Sequence, residues 1–174
     1  MTRGSKESTG DAGGTSRAYV DTHYLLSIIF EESDAEAARH LLYKLRDNSY
    51  HILVPQTVLG EVTAKILEKS RADELPGRLQ AYHSILLDCG IDSSCLPGID
   101  RRAPRYMLDL QAIDGQLDPN DALIISQVLA DPDSKFFFTA DAKMRRNSAI
   151  LDYESRLRKE GARNTGLKIR ESLD

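Results

Sequence analysis

The sequence predicts an α/β domain in which a central, mainly parallel sheet of four to five strands is flanked by helices. Short runs of β-capable residues alternate along the chain with longer segments whose apolar residues recur at helical spacing. One run, Phe136–Phe138, is apolar at every position, as expected for a strand that helices cover on both faces. Strands and helices that alternate in this way usually form one layered domain with a parallel sheet.

The length and composition fit one domain. The chain has 174 residues, of which 41% are hydrophobic, enough to build one continuous core. Residues 1–16 are rich in glycine and polar side chains, so we expect a disordered leader there and a single domain over residues 17–174. No stretch reaches the roughly 18 consecutive apolar residues of a membrane span, and the leader lacks the apolar run of a secretory signal. We therefore expect a soluble, cytoplasmic protein.

The cysteines and histidines do not form a metal-binding pattern. Cys89 and Cys95 lack the spacing of zinc ligands, and in a cytoplasmic protein we expect both to be reduced thiols. The four histidines are scattered through the chain, which argues against a zinc site built from His and Cys. Any bound metal is therefore expected to have oxygen ligands.

The N-terminal third predicts two strands and two helices. The short run Ala18–Val20 predicts a strand that ends at Asp21, and the dense apolar residues after it predict a buried helix. Ser33–Glu36 has the pattern of a capping box, which predicts a second helix over about residues 34–46. The next strand is His51–Val54, and the proline that follows ends it.

The middle of the chain is predicted to be mainly helical. Apolar residues at helical spacing predict two helices, and the sequence Leu75-Pro76-Gly77 predicts a break between them. A short strand, a turn and a third helix follow. The five predicted elements are a helix from Val58 to Lys69, a helix from Leu79 to Cys89, a strand Ile91–Leu96, a turn at Pro97-Gly98 and a helix Arg105–Ile113.

The C-terminal part begins with a strong helix signal. Asp118 is expected at the N-cap and Pro119 at the first position of a helix that continues to about Ala130. A strand at residues 135–139 follows, and Asp141 comes directly after it. The last predicted elements are a helix at residues 148–159, which ends before Gly161, and an edge strand at residues 166–170.

Three carboxylates are predicted to meet at one edge of the sheet. Ligand sites of parallel sheets lie beyond the carboxyl ends of the strands, where Asp21 and Asp141 follow two predicted strands. Asp121 begins a helical stripe whose other members face the core: Ile124, Ile125 and Val128. Each acid alone could simply cap or begin a helix. Their coincidence at one edge favours a functional site.

Glu61 is a weaker candidate, because Glu61, Lys65 and Glu68 could equally form a solvated stripe with ion pairs along one helix. Carboxylates that gather without His or Cys favour Mg²⁺ or Mn²⁺. Such a cation can activate water and stabilise the charge that develops on the leaving oxygen of a phosphodiester. The chain contains no nucleophile elbow, Walker P-loop or dinucleotide fingerprint that would indicate other chemistry.

Four short motifs are spread over about residues 18–145. They are Tyr19-Val20-Asp21-Thr22, Glu61 in the helix after Leu53-Val54-Pro55, Asn120-Asp121-Ala122-Leu123-Ile124 and Phe138-Thr139-Ala140-Asp141. Each motif alone is weak, but in order and at domain-wide spacing they resemble the motifs of PIN domains, including VapC-type toxins. The resemblance implies a sheet flanked by helices.

The resemblance also implies an endoribonuclease that hydrolyses RNA phosphodiester bonds with Mg²⁺ or Mn²⁺. The family's hydroxyl residue falls on Thr139, which would orient the nucleophile or a ligand. Asp118 could be a further acid behind the metal ligands, but the N-cap role is favoured. The metal-binding catalytic acids implied by the resemblance are Asp21, Glu61, Asp121 and Asp141.

The implied partners are an RNA substrate and, if the chain is the toxin of a toxin–antitoxin pair, a small antitoxin protein. PIN-type toxins commonly dimerise, so a homodimer is also expected. The helices at about residues 22–46 could supply its interface, although their leucines could equally be core. Five arginines could contact RNA phosphates, although a charge run is more often a solvated face: Arg101, Arg102, Arg105, Arg145 and Arg146.

The leader and the charged tail distinguish this chain from a compact VapC toxin. An RNA-processing or ribosome-associated PIN nuclease is therefore one alternative. A PIN-fold module that binds RNA or protein without catalysis is another, although the presence of all four acids argues against it. A carboxylate-dependent phosphatase of another class is disfavoured, because Asp21-Thr22-His23 lacks a second aspartate two residues after the first.

Overall fold

The computed structural model describes residues 16–92 and 99–173, and it has the predicted α/β architecture. Its strands are β1 (Arg17–Val20), β2 (His51–Leu53), β3 (Ser134–Phe138) and β4 (Lys168–Arg170). They form one sheet in the order β2-β1-β3-β4, and every neighbouring pair is parallel. The sheet therefore has its carboxyl-terminal strand ends along one edge.

Helices separate and flank these strands. Within the ranges that the structure describes they are α1 (Thr22–Phe30), α2 (Ala35–Asp47), α3 (Gln56–Lys69), α4 (Leu75–Asp88), α5 (Ile99–Ile113), α6 (Pro119–Ala130), α7 (Ala142–Arg146) and α8 (Ser148–Lys159). In these ranges, every helix is too short or too polar to cross a membrane. The sequence pattern does not predict α7.

The core forms where the helices pack on the two central strands. Val20 in β1 and both Phe137 and Phe138 in β3 are wholly inaccessible to solvent. Leu25 of α1 and Leu42 of α2 are equally buried, so these two leucines of the segment predicted to supply a dimer interface belong to the core of a single chain. Burial of each such side chain stabilises the fold by about 1.5–3 kcal/mol. This packing holds the strand ends in place.

The start of α2 differs from the predicted capping box. The N-cap residue is Asp34 rather than Ser33, and its side chain makes no capping hydrogen bond. The Asp34 carboxylate instead lies 2.5 Å from Nε2 of His23 in α1. A contact between two helices thus replaces the local capping pattern.

The predicted break at Leu75-Pro76-Gly77 is wrong. Helix α4 begins at Leu75 and includes Pro76 in its first turn. Proline is tolerated there because the first N–H groups of a helix have no intrahelical acceptor. Pro76 therefore belongs to the start of α4 and does not interrupt a helix.

The predicted start of the next helix at Arg105 is also wrong. Helix α5 begins at Ile99 and contains Pro104 in its interior. Interior proline costs about 3 kcal/mol. That cost is offset by packing, because Tyr106 and Leu110 of the same helix are buried and α5 packs extensively on α6.

Some predictions fall partly or wholly outside the described residues. Of the predicted strand Ile91–Leu96, Ile91 is buried and Asp92 forms one parallel bridge with Leu53, while residues 93–96 lie outside the description together with the turn at Pro97-Gly98. The predicted leader lies outside it up to residue 15, and so does Cys95. Cys89 is a buried free thiol.

A buried arginine joins the C-terminal tail to the sheet. The side chain of Arg163 has no solvent exposure and lies 3.5 Å from Glu154 of α8. It donates to the backbone carbonyls of Leu129 (3.0 Å), Asp131 (2.9 Å) and Ser134 (2.6 Å). These carbonyls belong to the end of α6 and the start of β3, so the tail after α8 is an integral part of the domain.

Candidate active site

The first and third strands bring two of the predicted acids to the same place. Val20 of β1 is paired with Phe138 of β3, and the backbone N–H of Asp21 donates to the carbonyl of Phe138 at 3.0 Å. Thr139 and Asp141 follow Phe138 directly in the chain. The carboxyl-terminal ends of β1 and β3 therefore lie side by side, as the sequence predicted.

A single hydroxyl joins the two strand ends. Oγ1 of Thr139 donates to Oδ2 of Asp21 at 2.6 Å and accepts from the backbone N–H of Asp141 at 3.1 Å. Thr139 is wholly buried. Its one hydroxyl proton is already used for Asp21, so this geometry makes Thr139 a group that orients the Asp21 carboxylate.

Asp21 and Asp141 also cap helices, as their positions after strands suggested. The Asp21 side chain accepts from the N–H of Thr22 at 2.7 Å and begins α1. The Asp141 side chain accepts from Lys143 N–H at 2.7 Å and Met144 N–H at 3.3 Å and begins α7. An ionised carboxylate has about four lone-pair sites, so capping leaves acceptor capacity for a cation.

Glu61 of α3 lies at this site and not in a solvated stripe. Its Oε2 accepts from the Thr22 hydroxyl at 2.7 Å and from the Asn120 side-chain amide at 3.2 Å. Lys65 instead pairs with Glu68 at 2.9 Å. The contacts link the helix after β2 to the starts of α1 and α6.

The side chains of Thr22 and Asn120 also lie at the site, where both donate to Glu61. The sequence motifs did not predict this role for them. Both stand next to a predicted acid, Thr22 after Asp21 and Asn120 before Asp121. Adjacency to the motif acids was the available signal. Their pairing with Glu61 depends on how three helices pack, which spacing alone does not give.

Asp121 occupies the first turn of α6 as predicted. The N-cap is Asp118, whose Oδ1 accepts from Asn120 N–H at 2.8 Å and from Asp121 N–H at 3.4 Å. The favoured capping role of Asp118 is therefore confirmed. Ile124, Ile125 and Val128 are buried on the same stripe, which anchors the helix against the core.

The acids act on one another electrostatically. Burial and, after it, the negative charges of four neighbouring acids together raise the pKa of Asp121 to about 6. These acids are Asp118, Asp141, Asp21 and Glu61. Burial also raises the pKa of Asp21, against the lowering effect of its hydrogen bonds from Thr139 and Thr22. All four predicted acids thus share one region of negative potential.

Nothing in the described chain neutralises this charge directly. Within those ranges, none of the four acids forms an ion pair with Lys or Arg within 4.0 Å. Gathered carboxylates without a cationic side chain are the usual environment of a bound divalent ion.

The donor chemistry of the site fits such an ion. Every side chain that converges here offers oxygen, the donor that Mg²⁺ and Mn²⁺ prefer. Within residues 16–92 and 99–173, however, no three His, Cys, Asp or Glu side chains already form a chelating group. The carboxylates of Asp21, Glu61 and Asp141 accept from hydroxyl and N–H donors in this arrangement, and a bound cation would compete with those donors for them.

Arg145, one of the predicted phosphate contacts, is engaged within the protein. Its Nη1 donates to the carbonyl of Thr139 at 2.8 Å and its Nη2 pairs with Glu171 at 2.8 Å. The neighbouring Arg146 is exposed on α7. Arg145 therefore supports the end of β3, while Arg146 remains open to a ligand.

Comparison with known proteins places this arrangement in a family. The sequence profile described as the PIN domain matches residues 18–150, which contain all four acids and Thr139. No curated protein matches the chain significantly. PIN domains are generally nucleases.

A solved structure has the same fold at low sequence identity. It is the crystal structure of VapBC2 from Rickettsia felis bound to a DNA fragment from their promoter. The TM-score is 0.58 at 16% identity, over 76% of this chain and 93% of that one. Taken with the profile match over most of the sequence, the chain belongs to the PIN domain family.

Proposed function

We propose that this protein is a metal-dependent endoribonuclease that hydrolyses RNA phosphodiester bonds at the site formed by Asp21, Glu61, Asp121 and Asp141. The observation that carries the proposal is the gathering of these acids at one place, where burial and then the negative charges of the neighbouring acids raise the pKa of Asp121 to about 6. A site with this surplus of negative charge needs a cation before it can accept a phosphodiester.

Asp21, Asp121 and Asp141 would hold Mg²⁺ or Mn²⁺, and Glu61 would hold the ion or position water. When bound, the cation supplies Lewis-acid stabilisation of the phosphodiester charge. Thr139 keeps Asp21 oriented through its 2.6 Å hydrogen bond. Thr22 and Asn120 do the same for Glu61. The chain's part in the reaction is thus to orient oxygen donors before substrate arrives.

The biological role that we propose is that of a toxin in a toxin–antitoxin pair in the cytoplasm. Support comes from the fold shared with VapBC2. The toxin assignment predicts a neighbouring gene for a small antitoxin that co-purifies with this chain. A neighbourhood without such a gene would favour an RNA-processing or ribosome-associated nuclease.

The nuclease activity is tested by incubating the full chain with labelled single-stranded and structured RNAs in Mn²⁺, in Mg²⁺ and in EDTA. We expect cleavage with either ion and none in EDTA or with Asp121→Asn. A matched control is Asp152→Asn, because Asp152 is an exposed acid on α8. Cleavage that persists in EDTA and in Asp121→Asn would contradict the proposal.

A further inference from the structure

A cavity of about 440 Å³ adjoins the proposed site. Its walls come from α1, α2, the segment after β3 and the C-terminal tail, and include His23, Ala140 and Glu171. His23 is two residues after Asp21, and Ala140 lies between Thr139 and Asp141. One wall of the cavity is therefore continuous with the backbone that carries two of the acids.

The lining combines apolar surface with a few polar groups. Ala37, Leu41 and Leu173 provide apolar walls. His23 and Asp34 form a pair at 2.5 Å, with side chains that are 40% and 42% exposed. An apolar slot with a small number of placed donors and acceptors is typical of a site for a planar organic ligand, and the volume lies in the range of about 300–1,000 Å³ usual for such sites.

The two carboxylates that line the cavity, Asp34 and Glu171, each have a partner that reduces their repulsion of a nucleic acid. Asp34 is paired with His23, and Glu171 is paired with Arg145 at 2.8 Å. His40 and Lys44 line the cavity on α2. The Asp34 carboxylate can thus accept a hydrogen bond from a base edge, while the sugar–phosphate chain can contact α2 at His40 and Lys44.

We propose that this cavity binds one unpaired nucleotide of the RNA, next to the phosphodiester bond that is cleaved. This inference rests on the proposed nuclease function. A single base fits the cavity only when it is splayed out of a stack, which is how single-stranded RNA is usually read. Position beside Ala140 places that nucleotide close to the acids that follow β1 and β3.

The C-terminal tail supplies part of the cavity wall. Glu171, Ser172 and Leu173 lie beyond residues 18–150, the segment that matches the family profile. Tyr24 of α1 holds the tail in position, because its hydroxyl donates to the backbone carbonyl of Glu171 at 2.7 Å. The part of the wall that the tail supplies therefore lies outside the segment that matches the PIN domain profile.

Binding is tested first without any cleavage. The four ribonucleoside 5′-monophosphates are titrated into the full chain carrying Asp121→Asn, with chemical shifts of the histidine rings as readout. We expect saturable shifts of His23 and His40, with one base preferred. Adding Ala37→Trp fills the cavity and should weaken binding roughly tenfold or more. Ala112→Trp, at an exposed alanine of α5, is the matched control.

Cleavage then separates this inference from the nuclease proposal. With Asp121 intact, Ala37→Trp should lower kcat/KM for RNA and change the preferred cleavage positions. It should leave Mn²⁺-dependent cleavage of a matched RNA that is abasic beside the scissile bond unchanged, because that substrate offers the cavity no base. Unaltered monophosphate binding and unaltered cleavage positions in Ala37→Trp would overturn the cavity assignment. Failure of the unmodified chain to cleave either substrate would contradict the nuclease proposal instead, while the monophosphate titration would still report on the cavity.

Discussion

At the scale of residues, Thr139 shows how a buried hydroxyl connects separate parts of the chain. It donates to the Asp21 carboxylate and accepts from the Asp141 backbone. The positions of predicted strands and helices placed Asp21, Asp121 and Asp141 at the site, whereas the resemblance to PIN domains added Glu61 and Thr139. Neither revealed which atom the hydroxyl serves, because that depends on the register between β1 and β3.

Removing this hydroxyl should damage the site more than the fold. Thr139→Val keeps the shape but leaves Asp21 without its short hydrogen bond, so we expect Mn²⁺ affinity to fall about 10–100-fold, as for other groups that orient metal ligands. The loss of folding stability should be about 1–3 kcal/mol. Calorimetric titration and urea unfolding measure the two effects. Thr139→Ser should restore Mn²⁺ affinity, and a serine variant as weak as the valine variant would contradict this role.

Asp121 should make the metal-free protein sensitive to pH. Its folded pKa of about 6 lies above the usual aspartate value of 3.8, so ionisation disfavours the folded state. The penalty is absent below about pH 4, develops as pH rises toward 6 and is complete above it. After allowance for partial solvent exposure, it should be on the order of 1 kcal/mol.

Asp121→Asn should remove that penalty. In EDTA, urea unfolding should show the variant to be more stable than the parent chain at pH 7.5, with the difference shrinking toward pH 4. A difference in stability that is the same at both pH values would show that the effect does not come from ionisation of Asp121.

At the scale of elements, local signals predicted most strands and helices but failed around prolines. The predicted break included Pro76, which lies in the first turn of α4. Helix α5 begins at Ile99 instead of the predicted Arg105 and contains Pro104. Burial of Tyr106 and Leu110 decides the second case, and burial is a property of the assembled core. Helix α7 has five residues, too few for an apolar period to be visible in the sequence.

The segment after α8 is predicted to stabilise the fold through the buried side chain of Arg163. Arg163→Met removes hydrogen bonds to three buried carbonyls, so we expect a loss of about 3 kcal/mol in the free energy of unfolding. Arg158→Met is the matched control, because the Arg158 side chain is 52% exposed and its pair with Glu154 spans 3.5 Å. That control should change stability by no more than about 0.5 kcal/mol. Equal effects of the two variants in urea unfolding would contradict the structural role of Arg163.

At the scale of the whole molecule, the sequence predicted the α/β class and the parallel sheet because both follow from the alternation of elements. The proposed homodimer is a different matter. Leucines in the segment expected to supply the interface are core residues, whereas Leu87 of α4 and Leu108 of α5 are 65% and 69% exposed. Scattered exposed leucines are normal, so they do not define an interface.

We nevertheless predict a homodimer, with a mass by light scattering of twice the chain's 19.4 kDa at micromolar concentration. A single-chain mass for the unmodified protein at that concentration would reject the dimer.

We propose that the four acids, which come from separate elements, bind a divalent cation together. Calorimetric titration of Mn²⁺ into the full chain at pH 7.5 tests it most directly, with Asp21→Asn, Glu61→Gln, Asp121→Asn and Asp141→Asn measured beside Asp152→Asn. We expect saturable binding that each of the four site variants weakens strongly and that Asp152→Asn leaves unchanged. Absence of binding to the unmodified chain, or equal affinity in all five variants, would contradict the account.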